Sequence, residues 1–381
     1  MNPSTLPPPR LIQTEKELQE VAGDLATRSH IAVDTESNSL FAYQEQVCLI
    51  QFSTAQTDYL VDPLSLPDLS ILEPIFQSPD IEKVIHGAEY DVLCLRRDFN
   101  FMLNNLFDTR VGSRTLGWEQ SGLNNLLLKV FNTNVNKRYQ RADWGKRPLP
   151  SEMLDYARYD THYLLQLQDH LVKELRATDR YTEAYELCQH MAQVQPRDNG
   201  FDPEGYWRIS KVRELTGPQI AVLRELYLYR DKNARKFNRP AFKILGDKVL
   251  LTLAKEMPSS RDDLTEVPGM SAGQIRRFGN GILDSILQGK KAPIPKQPKN
   301  KRLSDVAHAR YEALHDWRKN LARKRKVESD IILPREMLRE IAVVGPGNRE
   351  ELHRLMVPLE WRFQEYGEAI LDILFKNRGF E

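Results

Sequence analysis

Residues 31–36 are Ile-Ala-Val-Asp-Thr-Glu, a run of apolar and β-branched side chains that ends in two acids. A turn-forming Ser-Asn-Ser follows, so the run is predicted to be a strand. Side chains alternate between the two faces of a strand, which places Asp34 and Glu36 on one face. Burying two adjacent negative charges is costly unless a cation compensates them. An exposed strand edge with two solvated acids is the simpler alternative.

Strand-like and helix-like segments alternate outward from this run through the first half of the chain. Further strands are predicted at 47–53, 58–62 and 83–86, and helical periodicity occurs around 15–26, 90–97, 124–131 and 152–175. A hairpin followed by strands interleaved with helices predicts an α/β fold, a mixed sheet flanked by helices. The chain after residue 206 is predicted to be all helical.

Two polar stretches divide the chain. Residues 195–206 are rich in proline and glycine, and residues 290–300 are rich in proline and lysine, which predicts an extended, positively charged linker. The segments on either side of that linker match at an offset of 88 residues without a gap, as in Ile244-Leu245 and Ile332-Leu333. Such a constant register predicts a duplicated helical domain.

Charge distribution, cysteine content and apolar runs limit the classes of function that this chain can have. Residues 1–200 contain 19 basic and 28 acidic side chains, and residues 201–381 contain 35 and 25. The basic half is expected to attract phosphate backbones, although drifting surface charge is an alternative. Three separated cysteines argue against disulfides and structural zinc, and no apolar run approaches the roughly 20 residues of a membrane span. We expect a cytoplasmic protein that is not membrane-bound.

Two further elements carry candidate chemistry. The segment His86-Gly-Ala-Glu-Tyr-Asp91 is predicted to end a strand and begin a helix, and Tyr156-Ala-Arg-Tyr-Asp160 places its tyrosine and last acid on one helix face. A structural role is the alternative for each: an acid in a first helical turn complements the helix dipole. His86 is expected at most to support a neighbouring ligand, or simply to be buried and hydrogen-bonded.

Each element is weak evidence alone, but together they bring four carboxylates and a tyrosine from separate parts of the chain. Hard oxygen ligands favour Mg²⁺ or Mn²⁺. Two such ions about 3.5–4 Å apart can stabilise the attacking and leaving oxygens of a phosphodiester. The elements therefore predict a site for two divalent ions, with a catalytically silent nucleic-acid-binding scaffold as the alternative.

The three elements resemble the Exo I, Exo II and Exo III motifs of the DEDDy 3′-5′ exonucleases, which have an RNase H-like fold. Further segments that carry the resemblance are 47–51, 107–109, 143–144 and 147–149. An exonuclease domain followed by two HRDC-like helical domains is similar to ribonuclease D. The resemblance implies an exonuclease domain at 1–200, a first HRDC domain at 206–291 and a second HRDC-like domain at 299–381.

The resemblance also implies catalytic roles. Asp34, Glu36 and Asp160 would hold the first ion, and Asp34 would also contact the second. Asp91 would act through a water or the second ion, and Tyr156 would orient the attacking water.

The activity implied is that of a monomeric 3′-5′ exoribonuclease that acts on RNA with a single-stranded 3′ end. Its expected substrates are tRNA precursors and other structured RNAs, and its products 5′-monophosphates. A Werner-type DNA exonuclease shares the motifs and remains the alternative.

Basic residues cluster at equivalent positions of the two repeats, with aromatic residues interleaved in the first. Such side chains can hold phosphates and stack on bases. The predicted nucleic-acid-binding residues are Arg230, Lys232, Arg235, Lys236 and Arg239 in the first repeat and Arg318, Lys319, Arg323 and Lys324 in the second. A solvated helix face is the alternative for each residue, and docking of a protein partner is a further alternative for the second repeat.

Overall fold

The computed structural model describes residues 7–135, 138–196, 200–298 and 303–377. Its strands are β1 (Arg10–Ile12), β2 (His30–Ser37), β3 (Val47–Ser53), β4 (Asp58–Val61), β5 (Glu82–Ile85) and β6 (Leu106–Asp108). They form one sheet in the order β1-β4-β3-β2-β5-β6. The pairs β2/β3 and β3/β4 are antiparallel, whereas β1/β4, β2/β5 and β5/β6 are parallel. The predicted mixed sheet is confirmed.

The helices of this first part cover both faces of the sheet. They are α1 (Glu15–Leu25), α2 (Glu73–Gln77), α3 (Glu89–Phe99), α4 (Thr109–Thr115), α5 (Leu123–Phe131), α6 (Ser151–Tyr159), α7 (Leu164–Ala177) and α8 (Tyr181–Ala192). On one face, Val33 and Phe52 pack with side chains of α1, α2 and α3. On the other face, Ala32 packs with side chains of α5 and α7, and Leu49 packs with those of α6.

The helical repeats confirm the predicted duplication. The first contains α9 (Gly217–Lys236), α10 (Ala241–Ile244), α11 (Asp247–Glu256) and α12 (Ala272–Lys291). The second contains α13 (Asp305–Arg325), α14 (Ser329–Ile332), α15 (Arg335–Val344), α16 (Arg349–Met356) and α17 (Glu360–Lys376). The first residues of α9, α10, α11 and α12 are each 88 positions before those of α13, α14, α15 and α17, which is the offset seen in the sequence. Within the described ranges, no helix is both long and apolar enough to cross a membrane.

The chain folds as two compact units that do not follow sequence order. One contains Met1–Ser37, Val47–Pro196 and Arg302–Glu381, and the other contains Asn38–Gln46 and Arg197–Lys301. The second repeat therefore belongs to the same unit as the sheet. The domain limits predicted from the sequence stay a prediction, because compactness groups the chain differently.

The loop between β2 and β3 is part of the second unit. The Tyr43 hydroxyl donates to the Asp231 carboxylate at 2.6 Å, and the Tyr43 backbone N–H donates to the Asn238 side chain at 3.1 Å. The Lys243 ammonium lies 3.9 Å from the centroid of the Phe41 ring. These contacts fix the loop on the first repeat.

Buried ion pairs join the second repeat to α8 within the first unit. Arg362 is fully buried and donates to the Glu186 carboxylate at 2.5 Å and to the backbone carbonyls of Ile331 and Ile332 at 2.6 and 3.1 Å. Arg325 donates to the carboxylate of the buried Glu183 at 2.6 Å. Separating these partners would leave buried charges unpaired, so the contact depends on both sides.

We expect Arg362→Met to lower the free energy of unfolding by about 3–5 kcal/mol, because it leaves Glu186 unpaired and removes the donors to two carbonyl groups. Chemical denaturation followed by circular dichroism would measure the change. The matched control is Arg354→Met on the exposed surface of α16, which should change stability by less than about 0.5 kcal/mol. Equal effects of the two substitutions would contradict the prediction.

Candidate active site

The first two acids, Asp34 and Glu36, lie near the end of strand β2, where its regular pairing with β3 stops. Asp34 is paired in register with Gln51 and Glu36 with Leu49, and a bulge follows between Glu36 and Ser37. Side chains of directly paired residues share a sheet face. Both acids therefore lie on the face covered by α6, as the alternation in the sequence predicted.

Asp91 reaches the site from the first turn of α3. Gly87, with φ of +73°, makes the turn that joins β5 to this helix. The carboxylate of Asp108 accepts the backbone N–H groups of Gly87 and Ala88 at 2.9 and 2.8 Å and so holds the turn. The Thr35 hydroxyl, between the two acids of β2, donates to the Asp91 carboxylate at 2.5 Å.

Tyr156 and Asp160 come from the end of α6, and a buried polar network fixes this end. Asp58 accepts hydrogen bonds from Arg158 at 2.5 Å and from the Ser53 hydroxyl at 2.6 Å, and it lies 3.0 Å from His162 Nδ1. The single helix predicted at 152–175 is broken after Tyr159, because these bonds hold residues 158–162 against β3 and β4. Sequence periodicity contained no signal for this break.

Burial raises the pKa values of all four acids, and repulsion from neighbouring carboxylates raises them further. Burial is the largest cause for Asp34, followed by the charges of Asp91, Asp160 and Glu36. Burial is also the main cause that raises the pKa of Glu36, and that raises the pKa of Asp91 and of Asp160 to about 7. Each acid except Asp91 keeps some solvent exposure. The structure thus brings the four predicted carboxylates into one accessible cluster.

The phenol of Tyr156 belongs to the same cluster. Its pKa is raised above the ordinary value by burial and by the charges of Asp160, Glu36 and Asp34, so it stays protonated at neutral pH. Its ring centroid lies 6.0 Å from those of Tyr139 and Trp144. A cavity of about 320 Å³ borders Tyr156 and is also lined by Tyr139 and Tyr159. This cavity gives the site an aromatic wall.

The donor set fits divalent cations in its chemistry. In the described part of the chain, the four carboxylates have no salt bridge to a basic side chain, so their own charges are not compensated. Oxygen donors of this kind suit Mg²⁺ or Mn²⁺. No three His, Cys, Asp or Glu side chains among the described residues are already arranged as a metal-binding group.

His86 lies within hydrogen-bonding distance of Thr109. Its Nδ1 lies 2.9 Å from the Thr109 hydroxyl, and burial lowers its pKa to about 4, so the imidazole is neutral at pH 7.

The predicted nucleic-acid-binding residues fall into two groups. Those that are exposed are Lys232, Arg235, Lys236, Arg239, Lys319, Arg323 and Lys324. Arg230 and Arg318 are buried, and they donate to the backbone carbonyls of Leu245 and Leu333 at 3.1 and 2.9 Å. The expectation that these two bind nucleic acid is corrected, because their guanidinium groups are used inside each repeat.

Comparison with known proteins assigns the parts of the chain. A family model described as a 3′-5′ exonuclease matches residues 9–176, and the HRDC domain model matches residues 219–286 and 307–374. The exosome complex exonuclease RRP6 of Saccharomyces cerevisiae is 33% identical over 298 residues, which cover 74% of this chain and 39% of the yeast protein. The chain thus spans well under two thirds of the length of the curated relatives that it matches.

Solved structures agree with this assignment. The catalytic core of RRP6 from Trypanosoma brucei is 28% identical with a TM-score of 0.68, covering 76% of this chain and 81% of that one. The Escherichia coli exoribonuclease RNase D shares the fold, with a TM-score of 0.68, 24% identity and coverage of 97% and 99%. The first half is a 3′-5′ exonuclease domain and two HRDC domains follow it. The chain belongs to the ribonuclease D family.

The raised pKa values predict how stability depends on pH in the presence of a chelator. An acid with a pKa near 7 in the folded state and 3.8 as its ordinary value favours folding below pH 4, and this contribution is lost as the pH rises to about 7. We expect the melting temperature to fall across this range. Asp160→Asn should flatten the dependence, since an amide does not ionise.

Asp169→Asn, on the exposed surface of α7, is the matched control and should keep the slope of the unmodified protein. Thermal melts at several pH values would measure both. A slope that is the same for Asp160→Asn and for the unmodified protein would contradict the assignment of this acid to the cluster.

Proposed function

We propose that this chain is a 3′-5′ exoribonuclease that hydrolyses RNA from its 3′ end with two divalent cations, Mg²⁺ or Mn²⁺. The observation that carries the proposal is the convergence of four carboxylates and a protonated tyrosine from β2, α3 and α6 at one accessible position. A purely structural cluster of acids would be expected to have basic partners.

The four carboxylates would be shared between the two ions. Asp34, Glu36 and Asp160 would hold the first, and Asp34 would also contact the second. Asp91, which is held by Thr35, would act through a water or the second ion. When bound, the ions would neutralise phosphate charge and make water a better nucleophile.

Tyr156 has the protonation state that the proposed reaction needs. Since its phenol stays protonated, it can donate a hydrogen bond to the scissile phosphate or to the attacking water. The cavity beside Tyr156 is wide and aromatic enough to take the terminal nucleoside by stacking.

RNA is the proposed substrate because of the relatives. The yeast relative is named as an exonuclease of the exosome complex, and proteins of similar fold include one described as processing structured RNA. We propose that this chain trims tRNA precursors and other structured RNAs that have a single-stranded 3′ end. A monomer in the cytoplasm is also part of the proposal, and three buried cysteines that form no disulfide are compatible with a reducing compartment.

The exposed cations of the repeats are proposed to hold the RNA backbone. On α9, the Lys236 ammonium lies 5.6 Å from the centroid of the Phe237 ring, and Lys232 is exposed one turn earlier. On α13, the exposed set is Lys319, Arg323 and Lys324.

The reaction is tested with RNA labelled at either end and incubated with Mg²⁺ or Mn²⁺. We expect mononucleotides to be released from the 3′ end. Asp34→Asn should reduce the rate below detection, because it removes a ligand of both ions, and Tyr156→Phe should reduce it about 100-fold. Asp169→Asn should retain full activity.

A DNA oligomer of matched sequence separates the alternatives. Cleavage of DNA without cleavage of RNA would replace the proposal by a DNA exonuclease. Binding of RNA without cleavage of either substrate in both metals would replace it by a nucleic-acid-binding scaffold.

The basic surface makes a separate prediction. In the inactive Asp34→Asn protein, Lys236→Ala and Lys319→Ala should each weaken binding of single-stranded RNA and reduce the slope of log K against log salt by about 0.7, the value for one phosphate contact. Fluorescence anisotropy across a salt series would measure the slope. Lys248→Ala, exposed on α11, is the control and should leave the slope unchanged. An unchanged slope in the first two variants would exclude these lysines from the RNA-binding surface.

A further inference from the structure

A polar side chain lies in the centre of the sheet beside the carboxylate cluster. β3 has the sequence Val-Cys-Leu-Ile-Gln-Phe-Ser, and all seven of its residues are buried. Gln51 is fully buried, with no exposed surface. A glutamine amide carries one acceptor oxygen and two donor hydrogens, and burying it without partners is unfavourable.

The register of the sheet gives the direction of this side chain. Gln51 is paired directly with Asp34 across β2 and with Leu60 across β4. Side chains at paired positions lie on one face with their Cβ atoms roughly 4.5–5.5 Å apart. The amide of Gln51 is therefore within reach of the Asp34 carboxylate and on the same face as Asp34 and Glu36.

The protein's own groups do not use the amide. Among the described residues, neither Oε1 nor Nε2 of Gln51 has a hydrogen-bond partner. Two positions further along the strand, the hydroxyl of Ser53 is fully bonded to Asp58 and Thr161. The polar network that fixes α6 thus stops short of Gln51, and this side chain has no role in it.

We propose that Gln51 is a positioning residue of the active site: its Nε2–H donates to the Asp34 carboxylate when divalent ions occupy the cluster. Asp34 is the acid assigned to both ions, so its orientation matters more than that of any other ligand. Donation from Gln51 would fix the orientation of the Asp34 carboxylate. Partners of this kind orient metal-binding carboxylates in proteins.

A simple packing role makes a different prediction. If Gln51 only fills space, a side chain of equal length without polar atoms would do so better, because it leaves no buried donor or acceptor unpaired. Methionine has that length and shape. The two roles are therefore distinguished by metal binding, which the packing role does not affect.

The inference rests on the proposed function, and its test is Gln51→Met with Mn²⁺ alone as the probe. Calorimetric titration of the variant should show an affinity for Mn²⁺ about 10-fold lower than that of the unmodified protein. Its melting temperature in chelator should be equal or higher, and addition of Mn²⁺ should raise it by less. On RNA, kcat should fall about 10-fold, with KM unchanged, because binding of the RNA does not involve Gln51.

Leu60→Met is the matched control, since Leu60 is paired with Gln51 on the side away from Asp34 and is equally buried. It should change the melting temperature while leaving the affinity for Mn²⁺ as in the unmodified protein. If Gln51→Met does not fold, Gln51→Leu provides the same comparison.

The outcomes separate the two proposals. Unmodified protein that binds Mn²⁺ and cleaves RNA, with Gln51→Met equal to it in both, would overturn the role of Gln51 and leave the nuclease intact. Unmodified protein that neither binds Mn²⁺ nor cleaves RNA would overturn both.

Discussion

Electrostatic repulsion among Asp34, Glu36, Asp91 and Asp160 is the constraint on which this structure depends. Burial of these acids, together with repulsion from neighbouring carboxylates, raises their pKa values and so opposes folding at neutral pH. Rigid elements overcome this opposition. The sheet fixes the first two acids, the Asp108 carboxylate fixes the turn before α3, and the network around Asp58 fixes the end of α6. The apolar layers on both faces of the sheet hold these elements together.

Much of this arrangement follows from local sequence signals. Alternation along residues 31–36 placed two acids on one face, and the four-residue spacing placed Tyr156 with Asp160. The offset of 88 residues identifies the repeats without reference to any helix boundary. Strands of only three residues, β1 and β6, were missed because alternation needs a longer run to be visible.

Tertiary contacts account for what the sequence did not reveal. Arg230 and Arg318 resemble any other member of a basic cluster, and only the fold shows that each satisfies a backbone carbonyl inside its repeat. The pairing of Glu183 with Arg325 joins residues 142 positions apart, which no periodicity can indicate. The unpaired amide of Gln51 is likewise a property of its surroundings, which no local pattern can indicate.

The two repeats also show how a common scaffold acquires different contacts. Gln274 of the first repeat donates to the carbonyl of Ile244, and Arg362, 88 positions later, donates to the equivalent carbonyl of Ile332. The arginine is longer and charged, so it also reaches Glu186 on α8. The same position of the repeat thus makes a contact inside the first repeat, through Gln274. In the second repeat, Arg362 at this position also makes a contact with α8.

The discontinuous second unit has a consequence for how this chain can be rearranged by evolution or by engineering. Its loop, Asn38–Gln46, is encoded between the strands that carry Glu36 and Gln51, far from the rest of the unit. The compact unit that contains the first HRDC domain is therefore not encoded by one continuous segment. Excising residues 197–301 would remove the partners of Phe41 and Tyr43, which lie in the loop between β2 and β3. Transplanting the domain alone would leave that loop behind. Exchange of this unit therefore requires replacement of two separate gene segments rather than one.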